Sequence, residues 1–141
     1  PILNELFWSS KGKGSWCNDR RLRVSNRSNL TECLIGTGLP FGNRVYDNYL
    51  NEIDSILKTT AGIRRLGAAA LDLAYVASGK LDGFWEKDLN LWDVSSGVLI
   101  VKEAGGKVSK MNGEVWTLDS RDIMASNNKI HDSLSKKLSL L

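Results

Sequence analysis

Residues 68–77 (AAALDLAYVA) constrain the fold more than any other stretch of the chain. Alanine and leucine favour helix formation, Asp72 interrupts the apolar positions, and Gly79 follows as a stop signal. A helix that is apolar on nearly all sides is covered by other elements in the folded protein. The stretch is also far shorter than the roughly 18 apolar residues of a membrane-spanning helix. The sequence therefore predicts a buried helix in a soluble protein.

The segments around this helix alternate between strand-like and helix-like patterns. Runs of strand-forming residues occur at 5–8, 15–17, 20–24, 34–37, 81–86, 107–109 and 123–125. Helical periodicity marks one stretch from Val45, another over 94–103 and a third from about His131. The glycines and lysines at 11–14 predict a hairpin connection. Residues 1–141 are therefore expected to form a single α/β unit.

Composition narrows the class of protein. The 141 residues include 19 Lys and Arg against 16 Asp and Glu, a formal net charge of +3, and 42% of them are hydrophobic. Such a chain is neither disordered nor fibrous, and it suffices for one domain with a substantial core. Cys17 and Cys33 lack the spacing of a zinc or redox motif, so burial as free thiols in a reducing cytoplasm is favoured over a disulfide. The first residue is Pro1 rather than Met, which suggests a processed or truncated start.

Four acidic residues, Asp82, Glu86, Asp88 and Asp93, fall close together in the sequence. Clustered carboxylates supply the oxygen ligands that Mg²⁺ prefers, although a solvated loop has the same composition. Asp93 directly precedes the periodic positions of the helix at 94–103, so the sequence predicts it as the N-cap of that helix. A cap uses one carboxylate oxygen and leaves the other for a metal ion.

Two further observations bear on the chemistry. The segment 62–69 (GIRRLGAA) predicts a helix start in which Arg64 and Arg65 precede the small residues 67–69, a pattern typical of an anion site or of a surface basic pair. The only histidine, His131, lies near the C-terminus on a helix predicted to be solvated. Catalysis by a serine–histidine or cysteine–histidine pair is therefore not expected.

Together these segments resemble the C-terminal half of the inositol monophosphatase family, in particular its bacterial members. The resemblance rests on 62–77 (GIRRLGAAALDLAYVA), 79–86 (GKLDGFWE), 103–106 (EAGG), and Trp92, Asp93 and Gly97 as the Trp-Asp-x-x-x-Gly signature. The opening segments NELF at 4–7, KGKG at 11–14 and RVS at 23–25 resemble the family sequence just after its first metal-binding motif. The similarity covers nearly all of the chain.

The resemblance implies a Mg²⁺-dependent phosphomonoesterase that acts on inositol monophosphate or a related small sugar phosphate. It places a metal ligand at Asp93, a hydrogen bond to substrate hydroxyls at Glu86, and the lining of the inositol pocket at Gly67, Ala68 and Ala69. It also places the segment 36–38 (GTG) on the same rim. In such a scheme metal ions activate water and neutralise the phosphate, so no catalytic histidine is needed.

The fold implied by the resemblance is a layered α/β/α/β/α sandwich. This half would hold the smaller second sheet, its flanking helices and strands of the first sheet. The family's Asp-Pro-x-Asp-Gly-Thr motif and an upstream glutamate supply most of its metal ligands, and no Asp-Pro occurs in this chain. Because Mg²⁺ needs a nearly octahedral set of oxygens, we expect the chain alone to bind Mg²⁺ poorly and to be inactive. The implied partners are a phosphate ester, the N-terminal half of the same protein and a second subunit in a homodimer.

Some bacterial relatives in this family are associated with RNA or transcription complexes, so a binding module is the alternative. Support from the residues is weak, because the basic residues between 11 and 27 are scattered along the sequence rather than gathered among aromatic residues. Arg20, Arg21 and Arg23 form the densest group. A remnant without activity of its own is a third interpretation.

Overall fold

The computed structural model describes residues 2–39 and 48–139, and in this part of the chain the strands form two sheets. The first is antiparallel, with strands in the order β1 (Phe7–Ser10), β2 (Gly14–Cys17) and β3 (Arg20–Arg21). The second has the order β5-β4-β6-β8-β7, from β4 (Leu34–Thr37), β5 (Gly62–Arg64), β6 (Gly83–Lys87), β7 (Lys107–Ser109) and β8 (Asp122–Ser126). Strands β4, β5 and β6 run parallel, whereas β8 is antiparallel to both β6 and β7.

Four α-helices of the described residues complete the layers. They are α1 (Tyr49–Leu57), α2 (Ala69–Ala77), α3 (Leu91–Glu103) and α4 (His131–Ser139). Helices α2 and α3 pack against each other between the two sheets, because α3 contacts β1 and β2 while both helices contact strands of the second sheet. Helices α1 and α4 pack together and contact β5 and β8, respectively. The order of layers is therefore β/α/β/α, as expected for part of the layered sandwich that the sequence resembles.

The five-stranded sheet is buried on both faces. On β6, Phe84 joins the core formed with α2 and α3, while its neighbour Trp85 joins the core formed with α1 and α4. Successive side chains of a strand point to opposite faces, so one strand connects two cores. Both side chains are inaccessible to solvent. Strand β6 is thus a rigid support for the residues near its ends.

Helix α2 confirms the buried helix predicted at 68–77. Asp72, Leu73, Ala74, Val76 and Ala77 are all buried in it. Gly97 allows α3 to approach α2 closely, because a Cβ at this position would overlap the Leu73 side chain. Among the described residues, no helix is both long and apolar enough to cross a membrane.

One predicted element was wrong, and another cannot be compared in full. Gly62–Arg64 is strand β5 rather than the start of a helix, because it pairs with β4 in parallel register and α2 begins only at Ala69. That pairing joins segments distant in sequence, which local periodicity does not reveal. The amphipathic helix is present as α1, but Val45 lies outside the described residues.

Candidate functional site

A cleft of about 220 Å³ opens where β4 and β6 end and where α2 and α3 begin. The carboxyl ends of parallel strands form a common edge, which is the usual place for ligands in open α/β sheets. The residues that line it are Gly38, Leu39, Arg65, Gly67, Ala68, Ala69, Glu86, Lys87, Asp88, Leu89, Asn90 and Asp93. The structure therefore brings together the five site residues named from the sequence, namely Glu86, Asp93, Gly67, Ala68 and Ala69.

Glycine and alanine leave the space of this cleft open. Gly67 has a positive φ of 83°, a backbone conformation that favours glycine, and Ala68 and Ala69 follow at the N-terminus of α2. On the opposite side, a Cβ at Gly38 would overlap the Glu86 carboxyl group. The rim expected at residues 36–38 is present at Gly38, where the backbone passes directly beside the acid.

Glu86 is the buried acid of the cleft. It lies on β6 and is only 9% exposed. Burial raises its pKa to about 7, and the negative charges of Asp72 and Asp93 act in the same direction, whereas the positive charge of Arg65 opposes them. A carboxyl group with this pKa is partly protonated at neutral pH, so it can both donate and accept hydrogen bonds.

Asp72 is a second buried acid, which the sequence showed only as an interruption of an apolar helix. It is 1% exposed, and neither carboxyl oxygen has a hydrogen-bond partner among the described residues. Burial raises its pKa to about 7. A Cβ at Gly36 would lie 2.8 Å from its Oδ1. An acid in an otherwise apolar helix is the sequence signal that could have identified it.

Asp93 is not the N-cap of its helix, which corrects the sequence prediction. Helix α3 begins at Leu91, two residues earlier, so Asn90 occupies the cap position and Asp93 is the third helical residue. The Oδ2 atom of Asp93 accepts a hydrogen bond of 3.1 Å from the backbone N–H of Asn90. This is half of a capping box, in which the third residue reaches back to the cap. As expected, the second carboxylate oxygen of Asp93 stays available for a metal ion, because the backbone hydrogen bond engages only one of the two oxygens.

The acidic group 82–93 separates into two sets in the structure. Glu86, Asp88 and Asp93 line the cleft. Asp82 instead lies at the other end of β6, where it is 2% exposed and accepts hydrogen bonds from Ser25 Oγ and the backbone N–H of Leu34 at 2.5 and 2.8 Å. Asp82 therefore joins separate segments of the fold and does not belong to the cleft.

The described residues do not form a complete metal site. Within residues 2–39 and 48–139, no three histidine, cysteine or acidic side chains are arranged to hold a metal ion. Glu86, Asp88 and Asp93 line the same cleft, but their carboxylates are not grouped closely enough to hold a metal ion together. The described residues therefore do not fit a resident Mg²⁺ ion on their own.

The two arginines before α2 have different positions. Arg65 lines the cleft, whereas Arg64 is exposed and its Nη1 donates to the backbone carbonyl of Ile63 at 2.9 Å. The predicted helix start at residue 62 was wrong, yet the true N-terminus of α2 faces the cleft together with Arg65. Of the pattern that suggested an anion site, one arginine and the helix N-terminus therefore lie together at the cleft, and Arg64 does not.

His131 is buried rather than solvated, contrary to the sequence prediction. It is 1% exposed and lies between two serine hydroxyls, with Nε2 2.8 Å from Ser109 Oγ and Nδ1 2.7 Å from Ser126 Oγ. Burial lowers its pKa to about 4, so it is neutral at pH 7. The residue connects β7, β8 and α4 and does not line the cleft. Its spacing from Leu134 and Leu138 on one helix face could have indicated burial.

Cys17 and Cys33 are both free and buried, which agrees with the expectation of buried thiols rather than a disulfide.

Comparisons with known proteins agree with this geometry. The sequence model described as "Inositol monophosphatase family" matches residues 1–140. The chain is 45% identical over 137 residues to the inositol-1-monophosphatase of Mesorhizobium japonicum, covering 96% of this chain and 52% of that protein. It is 50% identical over 137 residues to the Nus factor SuhB of Pseudomonas aeruginosa, covering 95% of this chain and 51% of that protein.

Comparison with solved structures indicates the same family. The structure of inositol monophosphatase from Anabaena (Nostoc) superposes with a TM-score of 0.95 at 40% identity, covering all of this chain and 56% of that one. The chain spans about half the length of the relatives it matches, which agrees with the expected correspondence to the C-terminal half. A family match over nearly every residue, and a cleft that gathers the residues named from the resemblance, lead to one conclusion: the chain belongs to the inositol monophosphatase family.

Proposed function

We propose that this chain supplies the substrate-binding side of a Mg²⁺-dependent phosphomonoesterase that acts on inositol monophosphate or a related small sugar phosphate. The observation that carries the proposal is the shared cleft, where a buried acid, a second carboxylate and the N-terminus of α2 meet at the carboxyl ends of the strands. Buried titratable groups with shifted pKa values in a cleft are typical of functional sites.

Each lining group has a chemical role in this proposal. Glu86 bonds the hydroxyl groups of a polyol, since a carboxyl group with a pKa of about 7 both donates and accepts. Gly67, Ala68 and Ala69 keep the cleft open and present the positive end of α2 to an anion. Arg65 adds a fixed positive charge on the same wall. These features suit a substrate with hydroxyls at one end and a phosphate at the other.

The metal chemistry requires more than this chain. Asp93 is the one residue proposed as a metal ligand, and the remaining oxygens come from the part of the family fold that this sequence does not include. An exposed and mainly apolar groove between the N-terminal segment and α2 supports this view; it is lined by Ile2, Leu3, Glu5, Phe7, Leu71 and Tyr75. Apolar surface of this kind marks a site that is covered in an assembly. We therefore expect the chain alone to be inactive.

Two further properties belong to the proposal. We propose that the complete protein is cytoplasmic, because the free thiols of Cys17 and Cys33 would remain reduced in that compartment. It is also proposed to form a homodimer, as the resemblance implies, and light scattering after size-exclusion chromatography measures this directly.

The test uses a chimera in which the N-terminal half of the Mesorhizobium japonicum relative precedes this chain. With Mg²⁺, the chimera is expected to release phosphate from inositol 1-phosphate, while the isolated chain releases none. Asp93→Asn should abolish the activity, whereas Glu114→Gln, an exposed acid far along the sequence from the cleft residues, should leave it unchanged. A folded chimera without phosphatase activity would overturn the proposed function, and an active isolated chain would overturn its incompleteness.

The role of Glu86 is tested separately with two substrates. Glu86→Gln should raise the KM for inositol 1-phosphate and leave the KM for p-nitrophenyl phosphate nearly unchanged, because only the first substrate has ring hydroxyls to bind. An equal effect on both substrates, or none on either, would contradict the assignment of Glu86 to the polyol.

A further inference from the structure

Two glycines on one side of β4 make room for two acids. Gly36 lies in β4 and Gly38 directly follows it, and positions two apart along a strand face the same side. A Cβ at Gly36 would lie 2.8 Å from Oδ1 of Asp72, and a Cβ at Gly38 would overlap the Glu86 carboxyl group. The two carboxyl groups therefore lie one behind the other, roughly 7 Å apart by the spacing of alternate residues in a strand.

Asp72 is the inner member of this pair. It lies in the first turn of α2 and is 1% exposed, and neither carboxyl oxygen has a hydrogen-bond partner among the described residues. Because the surrounding residues already shield both oxygens, a further segment that covered the outside of this chain would not reach them. Asp72 also does not line the cleft, so it does not touch a substrate there. Its carboxyl group acts on the site through its charge.

Glu86 is the outer member, because it lines the cleft itself. After burial, the charge of Asp72 is the largest cause that raises the pKa of Glu86. Two acids that are close together and poorly hydrated oppose the loss of a second proton, since the second negative charge is repelled by the first. Such groups titrate as a pair rather than one by one.

The strands and α1 bring few other charges to the pair. Strand β4 has no titratable side chain. On β6, Lys87 follows Glu86 and forms an ion pair with Glu52 of α1. Burial raises the pKa of Tyr49 at the start of α1, which keeps this phenol uncharged. On β8, the Asp122 carboxylate accepts a hydrogen bond of 2.8 Å from a backbone N–H.

The remaining charges come from α3 and from the segment before α2. Asp93 on α3 adds negative charge near Glu86, and Arg65 before α2 adds positive charge, so these two act in opposite directions. At the other end of α3, the Glu103 carboxylate is bound to two backbone N–H groups of the turn between β1 and β2, at 2.8 and 2.9 Å. The acid whose charge acts most on Glu86 is therefore Asp72.

We propose that Asp72 is a positioning residue for Glu86: from behind the cleft, its carboxyl group keeps a proton on the pair, so that Glu86 presents an O–H group to a substrate hydroxyl. The role of the hydroxyl rests on the proposed function, whereas the coupling of the two acids is a property of this chain alone. The coupling is also mutual, because each acid opposes ionisation of the other by the same free energy.

Carbon NMR of the side-chain carboxyl groups measures the coupling in the isolated chain, without metal, from about pH 4 to about pH 9. In the unmodified chain, the Glu86 titration is expected to extend over two steps, because the pair releases its protons in sequence. In Asp72→Asn it should become a single step, with a midpoint about one pH unit lower. In Glu86→Gln the midpoint of Asp72 should fall by the same amount.

Two further variants separate charge from packing. Asp72→Ala also removes the charge, so the midpoint of Glu86 should fall as far as in Asp72→Asn, even if α2 packs less well. Asp119→Asn removes an exposed acid in a turn and should leave the Glu86 titration unchanged. Thermal unfolding shows that each variant is folded at the temperature of the titration.

The consequence for the substrate is measured with the chimera described above. The KM for inositol 1-phosphate should rise with pH as Glu86 loses its proton, and in Asp72→Asn this rise should begin about one pH unit lower. The KM for p-nitrophenyl phosphate should show no such displacement, because this substrate has no ring hydroxyls. A purely structural role of Asp72 would affect both substrates alike.

Three results would overturn the proposal. The first is a Glu86 titration with the same midpoint in both Asp72 variants and in the unmodified chain. The second is an effect in one direction only, with the Asp72 midpoint unmoved in Glu86→Gln. The third is an active chimera in which Asp72→Asn leaves the pH dependence of KM unchanged. An inactive chimera would overturn the proposed function instead, and the titration would still decide whether the two acids are coupled.

Discussion

The two ends of strand β6 both carry a buried acid, and the two acids differ in their surroundings. Asp82 precedes the strand, and its carboxylate accepts hydrogen bonds from Ser25, Leu34 and Arg27. Glu86 lies near the other end, where burial and the charge of Asp72 raise its pKa to about 7. The first acid stabilises the fold, because its charge is compensated. The second is kept at a cost in stability, as is typical of a functional site. Burial alone does not distinguish the two; the hydrogen-bond partners do.

The largest effect is expected for Asp82→Asn. The amide would present N–H groups to at least one donor that now bonds a carboxylate oxygen, and Arg27 would lose its ion pair at 3.2 Å. We expect a loss of about 3 kcal/mol in the free energy of unfolding, the upper range for lost hydrogen bonds to a buried charged group, because Arg27 is half exposed and its ion pair adds little. Urea unfolding at pH 7 measures this. The matched control is Asp119→Asn, which changes an exposed aspartate in a turn in the same way, and it should unfold at the same urea concentration as the unmodified protein.

A smaller effect of opposite sign is expected for Asp72→Asn. The pKa of Asp72 is about 7 in the folded protein against an ordinary value of 3.8, so the unfolded chain releases this proton more readily. The contribution of Asp72 to stability is thus fully present below pH 3.8 and is lost as the pH rises towards 7. Relative to the unmodified protein, Asp72→Asn should therefore gain about 2 kcal/mol more at about pH 8 than at about pH 5. Unfolding curves at both pH values measure this, and a pH-independent difference would contradict the burial of an uncompensated carboxyl group.

The smallest effect on stability is expected for Glu86→Gln. Its folded pKa is also raised, so the sign is the same as for Asp72, with a gain that appears as the pH rises from 4.5 through about 7. The cleft and the positive charge of Arg65 reduce the effect, so we expect about 1 kcal/mol at pH 8. If Glu86→Gln instead destabilised the protein as much as Asp82→Asn, the distinction between the two ends of β6 would be lost. Thermal unfolding at pH 8 makes this comparison.

The sequence predicted the elements whose signals are local. Strand β7 has the predicted bounds, and α2 follows from a run of alanines with a glycine after it. Strand β5 was missed because Gly62–Arg64 is defined by its pairing with β4, a segment far away along the chain. His131 was misplaced for the same reason: its partners Ser109 and Ser126 come from two different strands.

The candidate site could be predicted to a similar extent. The resemblance brought Glu86 and Asp93 to one place, and the structure places both on the cleft, although their roles stay predictions until they are measured. The capping arrangement of Asp93 could not be foreseen, because the helix starts three residues before its predicted periodicity begins at residue 94. Asp72 was overlooked because its importance comes from the absence of partners among the described residues, and this depends on how α2 packs against β4 and β6.

The contact of Glu103 with the hairpin also has a consequence for the order of folding. This last residue of α3 bonds the backbone N–H groups of Gly12 and Gly14, which precede it by 91 and 89 residues. During synthesis the ribosome releases the hairpin long before it releases the residue that anchors its turn. Contacts between such distant segments slow folding, because a long loop must close before they form. We therefore expect the hairpin to dock late, after α3 has formed.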